Sequence, residues 1–373
     1  MFADRYSGAK VFITGNTGFK GSWLSAWLLS LGASVTGFAN SVPSQPSCFE
    51  ALGLSSRIKD IRGDVRDGAS LQKALLEAQP DFIFHLAAQP LVRESYADPV
   101  NTFSTNILGV VNLLQAARFC PSARAIIVIT SDKCYRNDEW VYGYRETDYL
   151  GGKDPYSASK ASAEIVAHSY FDSFFQTGPA CATTRAGNVI GGGDWAKDRI
   201  VPDCARAWHN GTTVPLRSPK ATRPWQHVLE PLSGYLWLGA RLTEESSGQA
   251  GIYDLRGQAY NFGPPSDAIH SVSEVVQELK RHWSGFDYAA DPSGCGVMKE
   301  CGLLKLCCDK ANAELNWKAV LDFEETLRYT AEWYGRFYAD EDHKDGAMWD
   351  YTLGQIKAYT HAAQARGLDW AIQ

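Results

Sequence analysis

Tyr156 and Lys160 stand four residues apart in Asp154-Pro155-Tyr156-Ser157-Ala158-Ser159-Lys160. Aspartate before proline opens a helix, and on that helix the two side chains share one face, about 6 Å apart by rise. A phenol with a reference pKa of about 10 is a base near neutrality only where cations hold its phenolate, and Lys160 is such a cation. A second group, Ser131, Asp132 and Lys133, follows the nearly all-aliphatic run at 124–130. A hydroxyl, a carboxyl and an amine at the end of a buried strand could bind, protonate and deprotonate one substrate. The same trio could equally make a solvated turn, so its position in the fold decides.

The elements that must supply that position begin with Lys-Val-Phe-Ile-Thr-Gly-Asn-Thr-Gly-Phe-Lys-Gly-Ser at 10–22. A short buried strand runs into Gly15, Gly18 and Gly21, a beat that suits a dinucleotide diphosphate. The first glycine permits the tight turn, the second a close anion, and the third a helix lying against the sheet. A helix from about residue 18 would aim its N–H groups and positive dipole end at the phosphates. Strands at 34–38, 58–62, 81–86 and 124–130 alternate with helices at 70–78 and 98–118. The reading is an α/β fold, a doubly wound parallel (Rossmann) sheet with ligands at the carboxyl ends of its strands and a smaller C-terminal substrate-binding domain. At those ends Asp64 and Val65 could meet an adenine, and Leu86, Ala87 and Ala88 are small enough for a cofactor to lie across. The second strand ends in Phe38-Ala39-Asn40-Ser41, with neither an acid for a ribose nor an arginine for a 2′-phosphate, which leaves NAD against NADP open.

Composition sets the bounds. The chain has 373 residues, 45% hydrophobic, with a net charge of -6 and no basic run, so nucleic acid is not an expected partner. The apolar stretch at 24–31 is far short of the roughly 20 residues that cross a bilayer, and no secretion signal is read at the start; a cytoplasmic protein is expected. Nine cysteines are scattered without Cys-x-x-Cys spacing. Cys295, Cys301, Cys307 and Cys308 cluster, but residues 304–307 alternate like a strand, and no metal is expected. In the second half the glycine-rich loop at 191–203 carries Asp194, Trp195, Lys197 and Arg199, and 217–227 carries Arg223 and Trp225. Arginine forks suit diphosphates, and aromatic faces suit a base or sugar. Residues 273–283 and 322–337 are amphipathic, 340–345 reads as a charged linker, and 348–373 shows no role.

Gly15-x-x-Gly18-Phe19-x-Gly21 and Tyr156-x-x-x-Lys160 resemble the extended short-chain dehydrogenases/reductases. The longer blocks at 14–23, 87–93, 130–135, 185–195 and 223–228 resemble, within that family, the CDP-glucose 4,6-dehydratases. The likeness runs from about residue 10 to 333. It implies bound NAD, held by Gly15, Thr17, Gly18, Phe19, Gly21, Asp64, Val65, Leu86, Ala87, Ala88, Asn106, Tyr156 and Lys160. It implies CDP-glucose as substrate, held by Gln89, Asn188, Lys197, Arg199, Arg223, Trp225 and Asn261. Tyr156 would take the 4-hydroxyl proton with Ser131 bonded to that oxygen and Lys160 lowering the phenol's pKa. Asp132 would be the acid at the 6-hydroxyl and Lys133 the base at C5. Related dTDP-glucose dehydratases have Glu at the position of Lys133, so the lysine either takes the proton or stays charged beside an enolate while another group moves it.

The implied division is a nucleotide-binding domain at 1–185 with returning segments near 226–262, a substrate domain at 186–225 and 263–345, and a C-terminal tail at 346–373. The helices around Ile107 and Ile165 carry surplus apolar surface, and the family pattern makes them a homodimer interface. The product class would feed deoxysugars of surface polysaccharide such as lipopolysaccharide O-antigen. A 4-epimerase, a net reductase and a non-catalytic dinucleotide sensor share parts of this pattern. Asp132 and Lys133 together speak against the first, and the joint presence of Ser131, Tyr156 and Lys160 against the last.

Overall fold

Seven parallel strands form one sheet in the computed structural model, which describes residues 1–246, 253–265, 268–290, 303–340 and 345–372. They are β1 Lys10–Thr14, β2 Ser34–Ala39, β3 Lys59–Arg62, β4 Phe82–His85, β5 Ala125–Ile129, β6 Ala180–Arg185 and an edge strand Gln258–Asn261. The order is edge, β6, β5, β4, β1, β2, β3. Winding reverses between β1 and β4, so a crevice opens at their carboxyl ends. Every residue of β4, β5 and β6 is buried, and β5 accordingly reads as an unbroken apolar run rather than an alternation, whereas β6 also buries Thr183, Thr184 and Arg185. One sheet face sends Phe12, Ile83, Ile126 and Val128 toward helices Gly68–Ala78, Gly109–Ala117 and Pro155–Phe174. The other sends Val11, Ile13, Phe84 and Ile127 toward helices Phe19–Ser30 and Leu229–Ser246.

The expected elements are present with small shifts. Asp154 caps helix Pro155–Phe174 by accepting from the Ser157 N–H at 2.9 Å. The expected helix at 98–118 is interrupted by a π-helical turn, Ser104–Leu108, between Pro99–Phe103 and Gly109–Ala117. Such turns commonly mark functional sites, and this one holds Asn106. Residues 304–307 do not form a strand: Leu306 makes one isolated bridge to Tyr144. A Cβ on Gly143 would lie 2.8 Å from the Cys307 nitrogen, so the two segments touch closely over this short stretch only. Cys295, Cys301 and residues 341–344 of the charged stretch lie outside the described residues. No described helix is long and apolar enough to cross a membrane; the apolar run at 24–31 belongs to a helix whose residues 21–28 are all buried.

On the side away from the sheet, that burial comes from the C-terminal segment. Helix Trp349–Ala365 covers helix Phe19–Ser30, and Trp27 meets Phe2, Tyr359 and Trp370 edge-on. Tyr359 donates to Glu230 at 2.8 Å, and Glu230 also accepts from the backbone of Val320 and Leu321. Burial of this carboxyl raises its pKa from 4.5 to about 7. The folded state therefore holds the proton more tightly than the unfolded chain. This contribution is complete below pH 4.5 and is lost as pH rises through about 7, a change of order 3 kcal/mol. Denaturant unfolding of wild type and Glu230→Gln at pH 5.5 and 8 is expected to show a steeper loss of stability in wild type. Equal losses in the two proteins would sink this assignment.

Candidate active site

The glycine turn is shaped by backbone contacts. Gly15 has φ +74°, and a Cβ there would lie 2.8 Å from the Ala87 nitrogen. A Cβ on Gly21 would collide with the Gly15 carbonyl oxygen, so the third glycine fits the helix to its own turn rather than to the sheet. Gly18 differs from both, because its Cβ would meet only Gly15 O, at 3.4 Å, which leaves open space over the start of helix Phe19–Ser30. No side chain caps that helix. An uncapped N-terminus beneath an open glycine fits a diphosphate. Thr17 donates to the Ser41 carbonyl and Asn16 to Asp60, which pin the turn to the ends of β1, β2 and β3.

Neighbouring strand ends complete this crevice. Asp64 is gripped by Arg66, whose hydrogen bonds lower the carboxyl's pKa. Val65 is buried, with its side chain against Gly109. Leu86, Ala87 and Ala88 line the exit of β4, half-buried. Asn106 donates to the Gln89 carbonyl at 3.1 Å and to Ser159 Oγ at 2.8 Å, which ties that exit to the helix of Tyr156 and Lys160.

Beyond β5 the reacting groups converge. Ser131 Oγ donates to Asp132 Oδ1 at 2.9 Å, and Lys133 Nζ lies 3.8 Å from the same oxygen. Asp132 is fully buried, and its Oδ2 has no partner among the described residues. Behind it stands Gly187, where any Cβ would collide with Oδ2. Burial raises the pKa of Tyr156, opposed first by the charge of Lys133 and then by a hydrogen bond with Ser131. Lys160 Nζ donates to the Ile129 carbonyl at 3.3 Å, and burial lowers its pKa to about 8. Beneath this centre Glu164 takes Arg185 at 3.0 and 2.9 Å, Thr183 at 2.7 Å, and Thr130, locking the helix to β5 and β6. Removal of either member of such a buried pair strands a charge, so the platform is rigid.

The second half delivers its groups unevenly. Gly192 passes beneath Trp333, and its carbonyl accepts from Trp23, which anchors the loop that carries Arg199. Arg199 pairs with Asp194 at 2.8 Å and acts electrostatically on Tyr156. Asp198 joins Arg93 at 3.1 Å to Arg217 at 3.2 Å, and Lys197 is exposed beside it. Asn188 holds φ +42°, and its buried Oδ1 has no partner among the described residues. Arg223 and Trp225 are nearly buried; the indole donates to the His270 carbonyl. Gln89 and Asn261 are taken up by the protein itself. The Gln89 amide bonds Leu91 and Thr102, and that of Asn261 bonds Tyr135, Tyr144 and Cys307.

Two residues at this site escape motif reading. Gly187 backs Asp132, and Lys20 sits half-buried inside the glycine turn within electrostatic reach of Lys160, Lys133, Asp132 and Arg199. A charge at a position the motif leaves free was the only available signal for Lys20.

A CDP-glucose 4,6-dehydratase from Salmonella typhimurium is 44% identical over 90% of this chain and 93% of its own. A solved epimerase from Methanothermobacter thermautotrophicus superposes with a TM-score of 0.74 at 21% identity, over 95% of this chain and 96% of its own. A dTDP-glucose 4,6-dehydratase double mutant from Streptomyces venezuelae, solved with NAD bound, gives 0.70 at 23% identity over 87% and 96%; at such identities both likenesses speak for the fold. With residues 12–248 matching the family model described as GDP-mannose 4,6 dehydratase, the chain belongs to that family of extended short-chain dehydrogenases/reductases.

Proposed function

We propose that the chain converts CDP-glucose to CDP-4-keto-6-deoxyglucose and water, with NAD as a tightly held cofactor. The observation that carries this reading is the convergence of Ser131, Asp132 and Lys133 with Tyr156 and Lys160 at one strand end, in a chain 44% identical to a protein of that activity. The dinucleotide supplies a hydride acceptor and donor, oxidising C4 of the sugar and later reducing C6, so no net oxidation results. Gly15, Thr17, Gly18, Phe19 and Gly21 would cradle its diphosphate, with Asp64 and Val65 near the adenine, Leu86, Ala87 and Ala88 beneath it, and Asn106 bracing the wall.

Each side chain then has a proton or a charge to manage. Tyr156 takes the 4-hydroxyl proton, Ser131 hydrogen-bonds that oxygen, and Lys160 stabilises the phenolate. The resulting 4-ketone acidifies the C5 proton. Lys133 removes it while Asp132, buried with a free Oδ2, gives a proton to the departing 6-hydroxyl. Arg199, Lys197 and Arg223 supply cations for the substrate diphosphate, Asn188 an acceptor, and Trp225 an aromatic wall.

The proposed division is a nucleotide-binding domain at 1–185 with returning segments near 226–262, a substrate domain from 186–225 and 263–345, and a C-terminal tail at 346–373. The proposed assembly is a homodimer. It is supported by exposed Val100 and Phe103 on helix Pro99–Phe103, Leu108 on the π-helical turn that follows, and Ile165 and Phe174 on helix Pro155–Phe174. Light scattering is expected to give twice the chain mass; a monomer would reject the dimer. Seven free cysteines among the described residues suit the reducing cytoplasm, where such nucleotides would serve surface polysaccharide.

The direct test is incubation with CDP-glucose in deuterated water without added cofactor. A 4-keto-6-deoxy product with deuterium at C5 is expected. Unchanged CDP-glucose, or CDP-galactose even after NAD is added, would reject the dehydration.

A further inference from the structure

We propose that Lys20 sets the redox balance of the bound nicotinamide, favouring the reduced ring through the field of its ammonium. Lys20 is the second residue of helix Phe19–Ser30, at the end where the helix dipole already repels a cation. The side chain is half-buried, and none of the described residues gives its ammonium a hydrogen bond or an ion pair. The charged groups within its electrostatic reach are Arg199 from the glycine-rich loop, Lys160 from the catalytic helix, and Asp132 and Lys133 from the end of β5. Arg199 has Asp194 at 2.8 Å and Lys133 has Asp132 at 3.8 Å, whereas Lys20 has no carboxylate partner of its own among these residues.

A cation held there against its helix dipole and three other cations needs a reason. Pairing with the cofactor diphosphate alone would stabilise both redox forms equally, because the diphosphate keeps its charge in both. Its electrostatic neighbours are instead the groups around Ser131 and Tyr156, where the sugar is oxidised. The oxidised nicotinamide ring carries the one positive charge that reduction removes. A nearby ammonium disfavours the charged ring and leaves the neutral one untouched. That bias suits a reaction whose cofactor must stay reduced while the sugar loses water, and it rests on the dinucleotide reading above.

The test is a pair of dissociation constants, for NAD and for NADH, without substrate. They are measured at pH 6.5, where Lys20, lowered to about 7 by burial and its neighbouring cations, is mostly protonated. Wild type is expected to prefer NADH over NAD by a larger factor than Lys20→Met, the ratio falling about tenfold, or about 30 mV for this two-electron couple. Lys20→Arg, which keeps the charge, is expected to keep the ratio. Equal weakening of both forms in Lys20→Met would overturn the inference in favour of a diphosphate contact, and an unchanged ratio would overturn it outright. Failure of wild type to bind either form would reject the cofactor reading and this inference with it.

Discussion

Tyr156→Phe is expected to lower turnover of CDP-glucose by about 10³-fold while leaving the fold and cofactor content unchanged. The change removes one oxygen from a nearly buried ring. Ser131 does not become an orphan, because its hydroxyl still donates to Asp132 Oδ1 and still accepts from the Lys133 N–H. The stability cost should thus stay near 1 kcal/mol, that of one ordinary hydrogen bond. What disappears is the phenol hydrogen-bonded to Ser131, and with it the proposed base for the 4-hydroxyl. No reduced cofactor should accumulate on mixing with substrate, since oxidation at C4 requires that proton to leave. Turnover above a tenth of wild type would sink the assignment of Tyr156 as base. Burial raises the phenol's pKa, with Lys133 as the largest opposing influence. The variant therefore also probes whether the cations of the site, with the oxidised nicotinamide, suffice to offset that burial.

Much of this site was legible because its residues answer to local rules. Gly15 needs a left-handed φ, Gly21 needs no Cβ, and Asp154-Pro155 starts a helix wherever it occurs. Residues 124–130 read as a covered central strand because a run of aliphatic side chains suits a strand that faces helices on both sides. Other parts depended on partners far away in sequence. Asn261 suits a ligand by type, yet Tyr135, 126 residues away, donates to it. Gln89 is likewise spent on Leu91 and Thr102. Helix Trp349–Ala365 escaped reading because its buried face is Thr352, Gln355, Tyr359 and Thr360 as well as Ile356: Trp333 donates to Thr352, the Gln355 amide to the Tyr329 carbonyl, and Tyr359 to Glu230. Hydropathy cannot register a face of that kind. Lys20 and Gly187 were hidden by the same blindness to distance: each matters through side chains that three-dimensional folding alone brings near.

Asp132→Asn is expected to separate the two halves of the elimination. The amide is nearly isosteric, so Ser131 and Gly187 keep their places, but it cannot hand a proton to the leaving 6-hydroxyl. Dehydration should fall by about 10²–10³-fold. Oxidation at C4 depends on Tyr156 and should persist, so reduced cofactor should accumulate with substrate. If Lys133 is the base, C5 of that oxidised sugar continues to exchange with solvent. CDP-glucose recovered from deuterated water should then carry deuterium at C5 although little product forms. Lys133→Met is expected to abolish both product and exchange. Its loss also leaves Asp132 without the ammonium 3.8 Å away, so cofactor content must be checked alongside. Exchange that survives in Lys133→Met would transfer the C5 proton to another group and leave Lys133 the task of stabilising the enolate. One candidate is then Lys20, whose pKa of about 7 would let it accept a proton near neutrality, and Lys20→Met should in that case abolish the residual exchange.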